Sequence, residues 1–208
     1  MAFERRVADA FEAGLIRAPV HLSGGNEDAL LEIFQQVRPQ DWVFSTWRSH
    51  YHALLKGIPE EWRWGEIMAG RSMYLCDKEY KIVSSAIVAG CLPIALGVAM
   101  AIKRDKRTER VWAFCGDMAA ETGTFHEVTK YAGRHDLPIT FVIEDNGLST
   151  NTPTQTVWGL PESPLLTIQA MAGLTPWSIA RSYGCDVRYY AYERTVPHVG
   201  AGQFVVFS

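Results

Sequence analysis

The sequence predicts an α/β fold built on a parallel sheet, and the observations that indicate it lie within residues 111–152. A first apolar, β-prone run occupies 111–115. A helical pattern follows, with apolar residues at three- and four-residue spacings, and Pro138 ends it because proline disfavours helical geometry in the residue before it. A second apolar run covers 139–143. Strand–helix–strand units of this kind nearly always pair their strands in parallel, with a right-handed crossover.

The chain before this unit is predicted to contain helices and one short strand. Residues 2–14 form an amphipathic helical pattern that a glycine ends. Asn26 is placed to cap a second helix, which Pro39 stops. Residues 42–44 are a short strand candidate, and residues 59–69 have a helical pattern with a proline suited to the first turn.

Segments on either side of the central unit complete the predicted order. Residues 84–102 are apolar and rich in small residues, which is typical of a buried helix that packs closely against a neighbour. Residues 147–164 are predicted as a loop, and a loop of that length in a compact domain is usually functional or mobile. The remaining segments are predicted as two short helices, 165–171 and 176–183, and two strands, 185–192 and 203–208.

Composition narrows the classes of protein to which the chain can belong. With 208 residues, 48% of them hydrophobic, residues 1–208 can form a single domain with a full core. The net charge of −3 gives no electrostatic reason to expect binding to nucleic acid or to an anionic membrane.

Cysteine usage and apolar run lengths predict a cytoplasmic location. The four cysteines have no metal-binding spacing and lie among apolar residues, as reduced core thiols do. The longest apolar stretch, 86–102, contains two glycines and a proline and is short for a membrane span. The N-terminus lacks the apolar centre of a signal peptide. We therefore expect neither secretion nor a membrane-spanning segment.

Polar side chains follow both strands of the central unit. Asp117 comes just after the first strand and Asn146 just after the second, and open α/β sheets bind ligands at the carboxyl ends of their strands. A carboxylate and an amide carbonyl are hard oxygen donors of the kind that Mg²⁺ prefers. Backbone amides at the helix start, those of Met118, Ala119 and Ala120, would attract phosphate. A metal diphosphate is therefore the physical expectation. The alternative is that Asp117 is a plain helix N-cap and Asn146 part of a plain turn.

These residues resemble a known motif. Gly-Asp, 28 intervening residues and then Asn look like the thiamine-diphosphate motif, and the segments GDMAAETGTFHE and DLPITFVIEDNGLST resemble the α subunit of thiamine-dependent 2-oxoacid dehydrogenases, the E1 component. The resemblance implies a three-layer α/β/α thiamine-diphosphate-binding fold. It also implies that Asp117, Asn146 and the backbone carbonyl of Leu148 hold Mg²⁺, with Gly116, Met118 and Ala119 beside the cofactor.

Further site residues are implied by the same resemblance. Trp47, Arg48 and His50 match the family's Tyr-Arg-x-His motif, with tryptophan in place of tyrosine. In that match Trp47 and Arg48 contact the diphosphate and His50 is the candidate catalytic residue. Backbone around Ala86 and Val88 would line the pyrimidine end of the cofactor.

Two departures from the family pattern keep alternatives open. Met118 replaces a glycine, and Tyr74 replaces a histidine that faces the substrate, although a phenol titrates near 10 and cannot readily shuttle protons at neutral pH. We expect an α-type subunit that requires thiamine diphosphate and Mg²⁺, acts on a 2-oxo acid or a ketose, and is completed by a β-type, pyrimidine-binding partner in a hetero- or homo-oligomer. The alternatives are a split transketolase-like subunit and a degenerate, non-catalytic assembly or regulatory relative. Nicotinamide binding is disfavoured, since no Gly-x-Gly-x-x-Gly follows a strand.

Overall fold

In the computed structural model, which describes residues 2–159 and 174–197, a six-stranded sheet has the order β2-β3-β1-β4-β5-β8. The strands of this sheet are β1 (Trp42–Ser45), β2 (Leu75–Asp77), β3 (Ile82–Ser84), β4 (Val111–Gly116), β5 (Ile139–Asp145) and β8 (Asp186–Ala191). All neighbours pair in parallel except β2 and β3. A small antiparallel pair, β6 (Leu148–Ser149) and β7 (Thr152–Pro153), follows β5. The predicted parallel α/β fold is confirmed.

Helices flank the sheet and supply its covering layers. They are α1 (Ala2–Glu12), α2 (Glu27–Phe34), α3 (His50–Leu55), α4 (Glu60–Met68), α5 (Cys91–Arg104), α6 (Asp117–Ala120), α7 (Gly123–Arg134), α8 (Thr154–Val157) and α9 (Pro176–Ser182). The structure confirms the helices predicted over 2–14, 59–69 and 176–183 and the helix predicted after Asn26. It also confirms the strands predicted over 42–44, 111–115, 139–143 and 185–192. Most of the observed ends lie within three residues of the predicted ones.

The core lies on both faces of the sheet, as a three-layer architecture requires. Along β4, Val111 and Ala113 pack against α5, α7 and α9, whereas Trp112 and Phe114 pack on the other face with residues of α2 and α3. Strands buried on both faces read as continuous apolar runs, which is why 111–115 and 139–143 were recognisable. A third cluster joins α1 to α4 through Phe3, Val7 and Ile67, among others.

Several predicted boundaries were wrong, and each error has a local cause. The helix predicted within 84–102 begins only at Cys91, because residues 85–90 form a turn in which Ala89 has φ +58°. Pro93 is tolerated in the first turn of α5, where an N–H has no helical partner. The helix predicted after residue 116 is two helices, because the Thr122 side chain accepts a hydrogen bond from the Phe125 amide and begins a new one.

Other elements were not predicted or lie outside the described residues. Strands β2 and β3 have only three residues each, too few for a visible alternation. The loop predicted over 147–164 contains β6, β7 and α8 in its described part. The helix predicted over 165–171 and the strand predicted over 203–208 lie outside the described residues.

The cysteines and helix lengths can be compared with expectation. All four cysteines are free, and Cys91 and Cys115 are buried as predicted, but Cys76 is exposed, so it is not a core thiol. Among residues 2–159 and 174–197, no helix has both the length and the apolar character needed to cross a bilayer.

Candidate functional site

An open cavity lies at the carboxyl ends of β1, β4 and β5. Parallel strands bring their ends to one edge of a sheet, so residues far apart in sequence meet there. The predicted site residues that line this cavity are Trp47, Arg48, Val88, Gly116, Asp117, Met118, Ala119, Asn146 and Leu148. Nine of the 24 residues that line this cavity were therefore predicted from the sequence.

Asp117 is the first residue of α6 and is partly buried beneath the cavity. Its Oδ2 accepts a hydrogen bond from the Thr154 hydroxyl, and the carboxylate also accepts one from the Asn146 amide N–H. Burial, opposed by the Thr154 bond and reinforced by the negative charge of Asp145, raises the pKa of Asp117 to about 6. The N-cap of α6 is Gly116. Asp117 is therefore not the plain helix cap of the alternative interpretation.

Asn146 lies in a tight turn that aims its side chain at the same space. Its Oδ1 accepts a hydrogen bond from the Leu148 amide at 3.0 Å, and its Nδ2 donates to the Tyr192 hydroxyl at 3.1 Å. Gly147 adopts φ +68°, a left-handed conformation that glycine reaches without strain. Two hydrogen bonds thus fix the orientation of the amide, with Leu148 at the start of β6 beside it.

Arg48 reaches the cavity from the segment between β1 and α3. It is partly buried, and its Nη1 donates to the Leu22 carbonyl. Burial lowers the pKa of this guanidinium, and the nearby positive charge of Arg194 acts in the same direction. Because arginine stays protonated in proteins, Arg48 is a partly buried cation, and an anion in the cavity would offset the cost of that burial.

Besides Ala120, which is buried in α6, two predicted site residues do not line the cavity. Ala86 is exposed in the turn before α5, and its neighbours Ser85 and Ile87 line the cavity in its place. The second exception is His50, which is completely buried. Its Nδ1 lies 3.1 Å from Glu4 Oε1 and its Nε2 lies 2.9 Å from Ser72 Oγ.

His50 is thus buried away from the cavity surface, and its position does not support a catalytic role. It is the first residue of α3, and a helix turns successive side chains by roughly 100°. Adjacency to Arg48 along the chain therefore does not give it the same direction. Burial lowers its pKa, although the hydrogen bond to Glu4 opposes that change.

Sequence reasoning missed a wall of the cavity that comes from the end of β8. Tyr192 and Arg194 line the cavity, and Tyr190 precedes them at the same two-residue spacing within β8. Tyr190 donates to Glu144 Oε1, Tyr192 accepts from Asn146, and Arg194 donates to the Thr150 carbonyl at 2.6 Å. The period-two spacing of polar aromatic and cationic residues past a strand was the available signal.

Glu144 connects this wall to the protein interior. It lines the cavity, yet it is only 6% exposed. Besides the Tyr190 hydroxyl it accepts a hydrogen bond from Asn26 Nδ2 at 3.2 Å, and His52 Nε2 lies 3.6 Å away. Asn26 makes no side-chain cap for α2, so the capping role predicted for it is wrong.

The chemistry of these donors fits a magnesium diphosphate. Asp117 supplies one carboxylate and Asn146 one amide carbonyl. The described residues contain no group of three or more His, Cys, Asp or Glu side chains that could hold a metal. Magnesium commonly takes only one or two carboxylates and completes its octahedron with phosphate oxygens and water. The Ser45 hydroxyl, which also lines the cavity, is buried and makes no hydrogen bond within the described residues. A polar ligand would satisfy it.

Comparison with known proteins identifies the family. The profile of the family described as "Dehydrogenase E1 component" matches residues 1–159. The chain belongs to the dehydrogenase E1 component family. The resemblance recognised in the sequence is therefore confirmed, together with the parallel-sheet, three-layer α/β/α fold that it implied.

Several relatives of this E1 chain are α subunits. The α subunit of acetoin:2,6-dichlorophenolindophenol oxidoreductase from Bacillus subtilis is 31% identical over 161 residues, which are 73% of this chain and 48% of that protein. The protein of the same name from Cupriavidus necator is 33% identical over 72% of this chain and 48% of its own length. The α subunit of the pyruvate dehydrogenase E1 component from Zymomonas mobilis is 30% identical over 74% and 46%. The chain thus spans about half the length of the curated relatives that it matches.

Proposed function

We propose that this E1 chain binds thiamine diphosphate and Mg²⁺ and serves as the α-type, diphosphate-binding subunit of a 2-oxoacid or acetoin dehydrogenase. The observation that carries the proposal is the meeting of Asp117 and Asn146, from the ends of β4 and β5, at the cavity. Both have the oxygen chemistry that Mg²⁺ requires.

Each residue would have a distinct task toward the bound group. Asp117, Asn146 and the Leu148 carbonyl would hold the metal, and Arg48 would bind phosphate oxygens, for which guanidinium geometry is well suited. Met118 contributes a backbone N–H but also a side chain to the cavity. Thiamine diphosphate, when bound, supplies the carbanion and electron-sink chemistry itself. The protein has to orient it and keep water from the reacting end.

The partner and the substrate are parts of the same proposal. Ile87 is 74% exposed and Val88 49% exposed, and both lie at the cavity. Exposed apolar residues beside an open site favour a covering surface, such as a β-type subunit. The substrate would be a 2-oxo acid or a small hydroxyketone, as the names of the relatives suggest for those proteins. A split transketolase-like subunit acting on a ketose is the alternative enzyme, and the cytoplasmic location stays a prediction.

A second candidate function is that of a non-catalytic relative. Met118 lines the cavity where the resembled family has glycine, which narrows the space for a diphosphate. Tyr74 is 54% exposed and does not line the cavity, so it does not take the place of the family histidine there. Both observations favour a subunit that assembles with partners without turnover.

Calorimetric titration with thiamine diphosphate, in the presence and absence of Mg²⁺, separates these functions. We expect Mg²⁺-dependent binding to the wild-type chain and a loss of at least about 100-fold, or ~2.7 kcal/mol, in Asp117→Ala. Asp136→Ala, at an exposed residue, is the matched control and should bind like the wild type. No heat from folded wild-type protein at high concentration would favour the non-catalytic relative, and unchanged affinity in Asp117→Ala would mean that the metal assignment is wrong.

A further inference from the structure

Arg194 has no role in the function proposed so far, although it reaches the same cavity as Arg48. It follows the end of β8 and is partly buried. Its Nη1 donates to the Thr150 carbonyl at 2.6 Å and its Nη2 donates to Asn151 Oδ1 at 3.1 Å. Both partners are neutral oxygens in the β6–β7 turn. They fix the direction of the guanidinium without neutralising its charge.

Two cations therefore face one concave space. Arg48 comes from the β1–α3 segment and Arg194 from the β8 end, and both line the cavity. Burial lowers the pKa of each, and Arg194 lowers the pKa of Arg48 further by charge repulsion. Two like charges held together in a partly desolvated site disfavour each other, and an anion bound between them removes that cost.

The position of Arg194 indicates which anion this is. The β6–β7 turn that holds it follows directly from Asn146 and Leu148, at the metal end of the cavity. A diphosphate is multiply charged and has oxygens on two phosphorus atoms, so a single Mg²⁺ and a single arginine leave oxygens without a cationic partner. A second guanidinium, with its fork of N–H donors, is the group that binds such oxygens best.

We propose that Arg194 and Arg48 together form a two-arginine subsite for the pyrophosphate group, with Arg194 as the ligand-binding residue that follows β8. The inference rests on the proposed function, since it takes the diphosphate of the cofactor as the anion. It also predicts that inorganic pyrophosphate with Mg²⁺, which lacks the rest of the cofactor, binds at this site.

The test is calorimetric titration of the folded chain with magnesium pyrophosphate. We expect Arg194→Gln to weaken binding about tenfold or more and Arg194→Lys to weaken it less, because lysine keeps the charge but loses the fork. Arg188→Gln is the matched control, since it removes the same charge from an exposed residue of β8, and its affinity should stay within about twofold of the wild type. Raising the salt concentration should reduce the difference between wild type and Arg194→Gln.

Asn151→Ala distinguishes a binding role from a structural one. This variant removes a hydrogen-bond acceptor from the turn but leaves the Arg194 charge in place, so its affinity should change by less than about threefold. Loss as large as that of Arg194→Gln would mean that Arg194 only supports the turn, which overturns the inference. Unchanged affinity in Arg194→Gln would also overturn it.

Two further outcomes separate this inference from the proposed function. If thiamine diphosphate binds the wild type and fails to bind Asp117→Ala, while Arg194→Gln binds pyrophosphate normally, only the two-arginine subsite is wrong. If Arg194→Gln loses affinity for a 2-oxo acid such as pyruvate and not for pyrophosphate, the anion is the substrate carboxylate. If the wild type binds neither thiamine diphosphate nor pyrophosphate, both proposals fail.

Discussion

Two polar regions of the molecule each contain a residue of the short segment 47–50, His50 in one and Arg48 in the other. They differ in which groups lie next to their polar side chains. The first, which we call the closed cluster, consists of Glu4, His50, Arg63 and Ser72, all buried. Arg63 Nη2 donates to the Ser72 carbonyl at 2.6 Å and its Nη1 donates to the Arg71 carbonyl at 3.1 Å. The cluster largely satisfies itself with groups of the protein.

The second region, which we call the cavity edge, consists of Asp117, Asn146, Arg48 and Arg194. Here a carboxylate and two cations are partly buried around open space. The comparison teaches that buried polar residues indicate a ligand site only when their charges remain directed at a cavity. Where buried polar residues pair with one another inside the protein and face no cavity, they stabilise the fold.

Among the variants that test this division into two regions, His50→Leu is expected to change the free energy of unfolding most. Removing the imidazole leaves Glu4 and the Ser72 hydroxyl without one buried partner each, so we expect the free energy of unfolding to fall by about 2–3 kcal/mol. Affinity of the folded variant for thiamine diphosphate should be unchanged. Urea denaturation and calorimetry measure the two quantities.

His135→Leu is the control for that variant, because His135 is exposed at the end of α7. Its stability should stay within about 0.5 kcal/mol of the wild type. If folded His50→Leu instead lost cofactor affinity and kept its stability, His50 would belong to the site, as the sequence motif predicted, and the division into two regions would be wrong.

A smaller effect, with opposite signs in the two regions, is expected from pH. The pKa of Asp117 is raised to about 6 by burial from an ordinary 3.8, so between these values the folded state binds the proton more tightly than the unfolded state. The Asp117 contribution to the free energy of unfolding therefore rises as pH falls from about 7 toward 4. The pKa of His50 is lowered by burial from 6.5, so its contribution falls as pH drops below 6.5.

Comparison of variants isolates these contributions. The difference in unfolding free energy between the wild type and Asp117→Asn should change with pH in the first direction, and that between the wild type and His50→Leu in the second. Protons also compete with Mg²⁺ for the Asp117 carboxylate, so Mg²⁺-dependent binding should weaken by up to about tenfold per pH unit below 6. A pH-independent difference for Asp117→Asn would contradict the burial of its carboxylate.

The same comparison shows what could be predicted from sequence. Strands β4 and β5 are buried on both faces, so continuous apolar runs marked them, and the residues just past their ends had to meet. Asp117 and Asn146 were found for that reason. The places of Asp117 and Asn146, each just past an apolar strand, were enough to predict that they meet.

The rest depended on contacts that a linear pattern does not contain. Tyr192 and Arg194 reach the cavity only because β8 pairs with β5 in a register that places Ala191 opposite Asp145. His50 was misplaced because the direction of its side chain is set by where α3 begins. Ala86 was misplaced because residues 85–90 form a turn in place of the predicted helix.

The central claim is that Asp117 and Asn146 hold one divalent ion that binds a diphosphate. Its most direct test is a crystal structure of the chain with thiamine diphosphate and Mn²⁺ in place of Mg²⁺, with the ion located by anomalous scattering. We predict a single anomalous peak bonded to Asp117, Asn146 and phosphate oxygens. A bound cofactor with the ion elsewhere, or with these two side chains turned away from each other, would contradict the claim.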